Sequence, residues 1–295
     1  MKYIFIGNRR FVLEEMIKKN LDVDILVVKG THLEREDFLN NYPHKIIASK
    51  EELLNHIEIT DFDVLVSNGC PYIIPISKMK SGKYINIHPS YLPDLKGIDP
   101  AHGSILFKRD GGAACHVMTD EIDDGDIISR IKIPYSNDLD VSLLYQLGFI
   151  AEKEVFHEAF KKGFNSYLKQ EKHDDLIYYS RRPEDKIITF NESNQEIESK
   201  IKAFNNYSQG CSFSYHGEVF KVYDLDFVSN SFLKKHALNF QNLKIILVYE
   251  DCIILKKDDE LIKLGKVKGP LGIIKINSLI NEKTKKLITG QKENY

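Results

Sequence analysis

Two short stretches carry side chains whose types and spacing suit proton transfer. The first is Asn86-Ile87-His88-Pro89, and the second runs from His116 to Asp126 and includes Asp120, Glu121, Asp123 and Asp124. An amide donates hydrogen bonds, an imidazole takes and gives protons near neutral pH, and a carboxylate can fix the imidazole's tautomer. Tyr84-Ile85-Asn86-Ile87-His88 alternates as a strand does, so Asn86 and His88 share one face while Ile85 and Ile87 share the other. Pro89 cannot continue a ladder and ends the strand. The amide and imidazole therefore project together at a strand's C-terminal end, where ligands bind in open α/β sheets. A hydrogen-bonded Asn and a His capping a loop would fit the same three residues.

The acidic stretch narrows the choice. Asp120, Glu121, Asp123 and Asp124 fall within five positions before Gly125 and repel one another unless the turn points them apart. One of them turned back toward a histidine completes an acid–base pair. A Mg²⁺ or Ca²⁺ site is the competing reading. The loop lacks the every-second-residue oxygen ligands of a calcium loop, and no metal is expected.

These stretches need strands and helices to hold them. Short apolar runs at residues 2–6, 23–28, 45–48 and 63–67 read as strands, and helical patterns lie between them, near residues 11–19 and from Ser49, an N-cap, through Ile57. Alternation of this kind predicts a parallel sheet. An apolar run with helical spacing separates the two chemical stretches. Residues 127–134 read as a further strand, and residues 141–163 as a long helix with Leu143, Leu144, Leu147, Ile150, Ala151, Val155 and Phe156 as its apolar stripe. The polar run 169–175 is the expected linker. Beyond it, Ser193 and Glu196 form a capping box for a helix through Phe204. Short β-like runs follow at 211–215, 219–223, 244–249, 252–255 and 261–264, punctuated by glycines, and predict a small antiparallel barrel or sheet. Tyr215 and Phe220 read as core.

Composition sets bounds. The 295 residues are 42% hydrophobic and 28% charged with a net charge of −2, so no overall basic field argues for nucleic acid. Cys70, Cys115, Cys211 and Cys252 lie far apart and form neither a zinc motif nor a disulfide framework. The apolar stretch after Met1 is too short for a signal peptide, and no run approaches the roughly 20 residues that span a bilayer. A cytoplasmic protein with reduced thiols is expected.

The motifs NIHPSYLP and, about thirty residues later, HVMTDEIDDGDII resemble those of the N10-formyltetrahydrofolate-dependent formyltransferases, in the same order and spacing. The resemblance implies a Rossmann-like α/β formyltransferase domain with a parallel-rich sheet (residues 1–168). A smaller β-rich, oligonucleotide-fold-like domain follows (residues 176–295). It places the family's catalytic Asn, His and Asp on Asn86, His88 and Asp123, leaving Asp124 as a neighbour. It implies N10-formyltetrahydrofolate as co-substrate, with its pterin between Tyr72 and Ile74 on one wall and Met118, Thr119 and Asp120 on the other. Formyl transfer to an amine passes through a tetrahedral oxyanion, which Asn86 would stabilise. His88 would accept the amine's proton or stabilise the oxyanion as imidazolium, and Asp123 would orient it.

The later segments RRPED, I-x-x-x-I-x-A-F and GCSFSYHGEVFKVY look most like the nucleotide-sugar branch of that family. They imply transfer to the amine of a UDP- or dTDP-linked 4-amino-dideoxy sugar, as in bacterial surface-glycan biosynthesis. Candidate acceptor contacts are Arg9 and Arg10 at a helix start, His102, and Arg181 and Arg182, since Arg binds phosphate bidentately. Solvated or locally paired arginines are the plain alternative. A homodimer is among the expectations, and no membrane or nucleic-acid partner is. Methionyl-tRNA formyltransferase is the nearest rival, because residues 231–295 hold 13 Lys against 7 acids. A formyltetrahydrofolate hydrolase usually has a regulatory domain ahead of the first strand, which here starts at Lys2. A silent folate-binding protein would not need all of Asn86, His88 and Asp123.

Overall fold

The computed structural model describes residues 1–281 apart from Lys172 and Tyr207. Strand β1 (Lys2–Gly7), helix α1 (Arg10–Lys18), strands β2 (Asp22–Val28) and β3 (His44–Ile47), helix α2 (Lys50–Ile59), and strands β4 (Val64–Asn68) and β5 (Lys83–His88) come first. Helix α3 (Pro100–Phe107), strands β6 (Gly111–Val117) and β7 (Ile127–Ile133) and helix α4 (Val141–Lys161) complete the first half. The seven strands form one sheet in the order β3-β2-β1-β4-β5-β6-β7. The pairings from β3 to β5 are parallel, and β6 and β7 run antiparallel. Residues Tyr3 to Gly7 of β1 and all of β4 are buried, as parallel strands covered on both faces must be.

One face packs Phe5, Val12, Leu13 and Met16 with Val155 and Phe156 of α4, and the other packs Ile4, Ile6, Leu53 and Ile57. Strand order reverses between β1 and β4, which opens a crevice at their C-terminal ends. There Gly7 lets the two chains meet, because a Cβ on it would lie 2.0 Å from Asn68 O. Ser49 caps α2 by accepting from Glu52 N, and Asp140 caps α4 by accepting from Leu143 N. The expected apolar stripe of α4 is only partly core. Leu144, Ala151, Val155 and Phe156 are buried, but Leu143 and Ile150 are 41% and 55% exposed, because the stripe is wider than the arc the sheet covers.

The second half contains helix α5 (Asn194–Phe204), strands β8 (Cys211–Tyr215), β9 (Glu218–Val222) and β10 (Asp224–Phe227), helix α6 (Ser231–Ala237), and strands β11 (Ile245–Tyr249), β12 (Cys252–Lys257) and β13 (Glu260–Gly265). Ser193 and Glu196 form the capping box of α5. The strands form an antiparallel four-stranded sheet, β10-β13-β12-β11, and a β8–β9 hairpin, with a bridge from Lys221 to Lys268. Strand β10 and helix α6 were not expected. The alternating acids of Asp224-Leu225-Asp226-Phe227 mask an edge strand that its pairing with β13 and the burial of Leu225 stabilise, and α6 spans seven residues. Tyr215 and Phe220 are fully buried in a core with Phe213, Ile253 and Leu264, and that core continues into Ala101, Ile105 and Leu144 of the first half. The polar run after α4 is not a free tether. Leu168 O accepts from Ile127 N at 2.8 Å, and Gln170 bonds the loop before β7. Among the described residues no helix is long and apolar enough to cross a membrane.

Candidate active site

Strand β5 delivers Asn86 and His88 to one end of the sheet, on one face. Antiparallel pairing sets His116 of β6 directly opposite Asn86. The loop leaving β6 then turns back through Asp123, whose φ of 53° lies in the left-handed region that Asp visits more readily than most residues. Its carboxylate ends between the two imidazoles. Oδ2 lies 3.5 Å from His88 Nδ1, and Oδ1 lies 3.6 Å from His116 Nε2 and 3.4 Å from Asn86 Nδ2. Gly97 N donates to Oδ2 at 3.3 Å. His88, His116 and Asp123 are all at least nine-tenths buried. Asp124 points elsewhere and pairs with Lys96.

Hydrogen-bond partners fix which nitrogens exchange protons. His88 Nε2 faces Leu95 O at 3.2 Å, and a carbonyl only accepts, so Nε2 carries hydrogen and Nδ1, toward Asp123, is the nitrogen left able to take up a proton. His116 Nδ1 likewise donates to Val117 O at 2.9 Å, leaving Nε2 to accept from Asn86 Nδ2 at 3.2 Å. Burial pushes the His88 pKa below its ordinary value, against the pull of Asp123. Burial pushes the Asp123 carboxyl up, but His88, His116 and the Gly97 N–H together hold it down at about 2. A neutral imidazole beside an ionised carboxylate is a proton acceptor whose charged form has a counter-ion already in place.

A cavity of about 110 Å³ opens from this cluster. Tyr72 and Ile74 line it on one side and Met118, Thr119 and Asp120 on the other, and Asn86, His116 and Asp123 form its floor. The backbone N–H groups of Tyr72 and Ile74 take no partner among the described residues, so they are free to bond a heteroaromatic ring. Asp120 is tied by its carboxylate to Ser77 N at 3.1 Å, which joins the two walls. Among the described residues no cluster of His, Cys, Asp and Glu could hold a metal ion.

The remaining candidates scatter. Arg9 and Arg10 line a second cavity, of about 850 Å³, with Tyr145, Gln146 and Phe149. They are not a solvated pair. Arg9 NH1 lies 3.2 Å from the fully buried Glu152 and stacks on Phe149, while Arg10 bonds Glu14 at 2.8 Å and Glu36 at 3.0 Å. Burial pushes the Glu152 pKa up, against Arg9 and Asn68. His102 is 1% exposed, packed between Tyr145 and Phe204, and no bond links it to the Asn86 cluster among the described residues. Burial and Arg181 lower its pKa to about 4 despite Asp99. Arg181 faces Asp99, but Arg182 lines a different cavity with Lys108 and Phe107, so the two neighbours do not share one site.

The sequence set His116 at the head of the second chemical stretch but not against Asn86, and it gave Gln170 and Glu152 no place in the site's surroundings. The signal for His116 was the strand pairing. A strand–helix–strand spacing reads as a parallel crossover, and only the antiparallel direction of β6 sets His116 against Asn86.

The family model described as Formyl transferase matches residues 34–160, and the model described as Formyl transferase, C-terminal domain, matches residues 181–284. A methionyl-tRNA formyltransferase of Lactococcus lactis subsp. lactis is 26% identical over 257 residues, covering 78% of this chain and 80% of that one. Among solved structures, the fold is similar to an N-formyltransferase from Helicobacter canadensis in complex with folinic acid and dTDP-3-aminofucose. The TM-score is 0.70 at 20% identity, covering 90% of this chain and 99% of the other. A 4-N formyltransferase from Francisella tularensis superposes with a TM-score of 0.61 at 22% identity, over 73% and 93% of the two chains.

Proposed function

The chain belongs to the formyl transferase family, and from that premise we propose that it moves a formyl group from N10-formyltetrahydrofolate to the amine of a nucleotide-linked amino-dideoxy sugar. The observation that carries the reading is the floor of Asn86, His116 and Asp123 in the narrow cavity between Tyr72 and Met118, with His88 buried 3.5 Å from the Asp123 carboxylate. Bound there, the folate supplies a formyl group on nitrogen. Asn86 offers amide hydrogens, now directed at His116 and Asp123, to the charge that develops on the formyl oxygen. His88 takes the amine's proton at Nδ1 while the Asp123 carboxylate balances the imidazolium, and that proton passes to the folate nitrogen as its bond to the formyl carbon breaks. The folinic acid in the Helicobacter canadensis enzyme supports the donor.

The cavity beside Arg9 is the proposed seat of the acceptor. Its size suits a small polar ligand, and Arg9 pairs with Glu152, which Asn68 links to Ile87 O next to His88. The dTDP-3-aminofucose bound to the Helicobacter canadensis enzyme supports a sugar, and the 4-N formyltransferase from Francisella tularensis supports an amine at C4. An amine at C4 of a UDP- or dTDP-linked sugar is the proposal here.

A second reading, transfer to methionyl-tRNA, is favoured by the Lactococcus relative. The lysines speak against it. Lys244 and Lys256 donate to backbone carbonyls, and Lys257, Lys263 and Lys266 face Asp258, Asp226 and Asp224. Lys283, Lys285, Lys286 and Lys292 lie outside the described residues. The test is tetrahydrofolate release from N10-formyltetrahydrofolate with a panel of nucleotide-amino-sugars and with methionyl-tRNA. Turnover of the tRNA alone would replace the sugar reading.

A further inference from the structure

We infer that Gln170 is a positioning residue that clamps the Asp123 loop and thereby aims the Asp123 carboxylate at His88; this rests on the reaction proposed above. Gln170 lies in the stretch after α4 and is half-buried. Its Nε2 donates to Asp123 O at 2.9 Å and to Gly125 O at 2.7 Å. Both partners are carbonyl oxygens, which only accept, so the atom between them must be the amide nitrogen, with one hydrogen for each. The other end of the same amide, Oε1, is buried and has no partner among the described residues. An amide held at one end only, by two carbonyls two residues apart, is placed for those carbonyls.

The backbone explains why the placement matters. Asp123 is in the left-handed region at φ 53°, a conformation with a steric cost for a residue bearing a Cβ. Fixing the direction of its carbonyl fixes ψ, and φ and ψ together set where the side chain leaves the chain. Gly125 is held just as tightly, since a Cβ there would lie 1.8 Å from Val117 O. Gln170 itself is anchored by its neighbours, because Leu168 pairs with Ile127 at the start of β7. The loop is thus pinned by β6 on one side and by Gln170 on the other. Loss of the pin frees Asp123 to relax toward ordinary φ values and to leave the 3.5 Å approach to His88 Nδ1.

Gln170→Met keeps length and volume and removes both donors. Wild type and variant are compared in two measurements. The first is kcat and KM for N10-formyltetrahydrofolate and for whichever acceptor the wild type uses. A carboxylate displaced by about an ångström is expected to cut kcat on the order of 10²-fold with both KM values within a few-fold. The second needs no acceptor: NMR titration of the imidazole Cε1–H signals of the ligand-free protein. The charged or titratable groups around His88 are Asp123, His116 and Arg9. Moving only Asp123 away removes the group that stabilises the imidazolium, so the His88 midpoint should fall below its wild-type value. Should the Met variant not fold, Gln170→Ala, with room for a bridging water, is expected to give the same shift at smaller size. A kcat within about twofold of wild type together with an unmoved His88 titration overturns the clamp. So does a loss confined to KM. A shifted titration in a protein that formylates no nucleotide-amino-sugar keeps the clamp and removes the proposed acceptor.

Discussion

His88 Nδ1 faces Asp123 Oδ2 across 3.5 Å in a setting where neither side chain is more than 9% exposed. In that setting the carboxylate one position further along the chain cannot substitute, because Asp124 is turned to Lys96. Asp123→Asn and His88→Asn should each lower kcat by at least about a hundredfold while leaving folate affinity within a few-fold, since both act on the transition state. Asp124→Asn should stay within a few-fold of wild type. Steady-state kinetics alongside folate titration checks this, and a crippled Asp124→Asn with an active Asp123→Asn would show that the wrong acid has been assigned.

The pH dependence follows from the direction of the His88 shift. Its pKa lies below the ordinary imidazole value of about 6.5, so the proton-accepting neutral form persists through that pH and is lost only below it. The kcat profile should therefore hold from pH 8 down to about 6.5 and fall at lower pH, while kcat/KM keeps rising to mildly basic pH as the acceptor amine deprotonates. The same shift bears on stability. Below about pH 6.5 the unfolded chain takes up more protons at this position than the folded one, so His88 disfavours the fold there. A flat kcat between pH 5 and 9, with chemistry rate-limiting, would remove proton transfer from the role of His88.

His116 should matter without contacting the acceptor. It accepts from Asn86 and flanks Asp123, so His116→Phe removes one buried partner from each of them. A fall in kcat of roughly tenfold or more is expected, with a lower melting temperature, since such polar networks lose more than one bond when a member is removed. Wild-type kcat in a variant that melts normally would leave His116 as packing.

Two glycines should respond oppositely to alanine. At Gly125 the new Cβ would meet Val117 O at 1.8 Å, and a loss of at least about 1–3 kcal/mol is expected, with activity falling alongside. At Gly148, inside α4, a Cβ would meet nothing within 4 Å, and a gain of about 0.5–1 kcal/mol is expected from helix propensity. Thermal or urea melts of both variants read the two signs directly.

Salt separates the two acceptor readings. Neutralising the phosphates of a tRNA makes binding weaken by about 10³–10⁵ between 50 and 200 mM salt for 6–10 contacts. A diphosphate offers two charges, so acceptor KM should change only a few-fold over that range. Steep dependence with methionyl-tRNA and no turnover of any nucleotide-amino-sugar would make the C-terminal half an RNA-binding face.

The sequence by itself determined the local elements and the nearer half of the chemistry. Alternation put Asn86 and His88 on one face of β5, caps at Ser49 and Ser193 started α2 and α5, and glycine spacing marked the antiparallel second half. These are short-range facts, set by side-chain periodicity and by which residues can satisfy a helix end. The tertiary structure decided everything that depends on chain direction and on distant partners. Antiparallel β6 set His116 against Asn86, and the left-handed turn aimed Asp123, the acid the motif resemblance selects, between the two imidazoles. The polar run after α4, which composition reads as a linker, became the clamp on that turn. Arg9 found its partner in Glu152, 143 positions away, and Arg181 faced Asp99 while Arg182 lined a separate cavity. Residue types state what a side chain is able to bond, but only packing brings buried donors and acceptors from separate segments within 3.5 Å of each other.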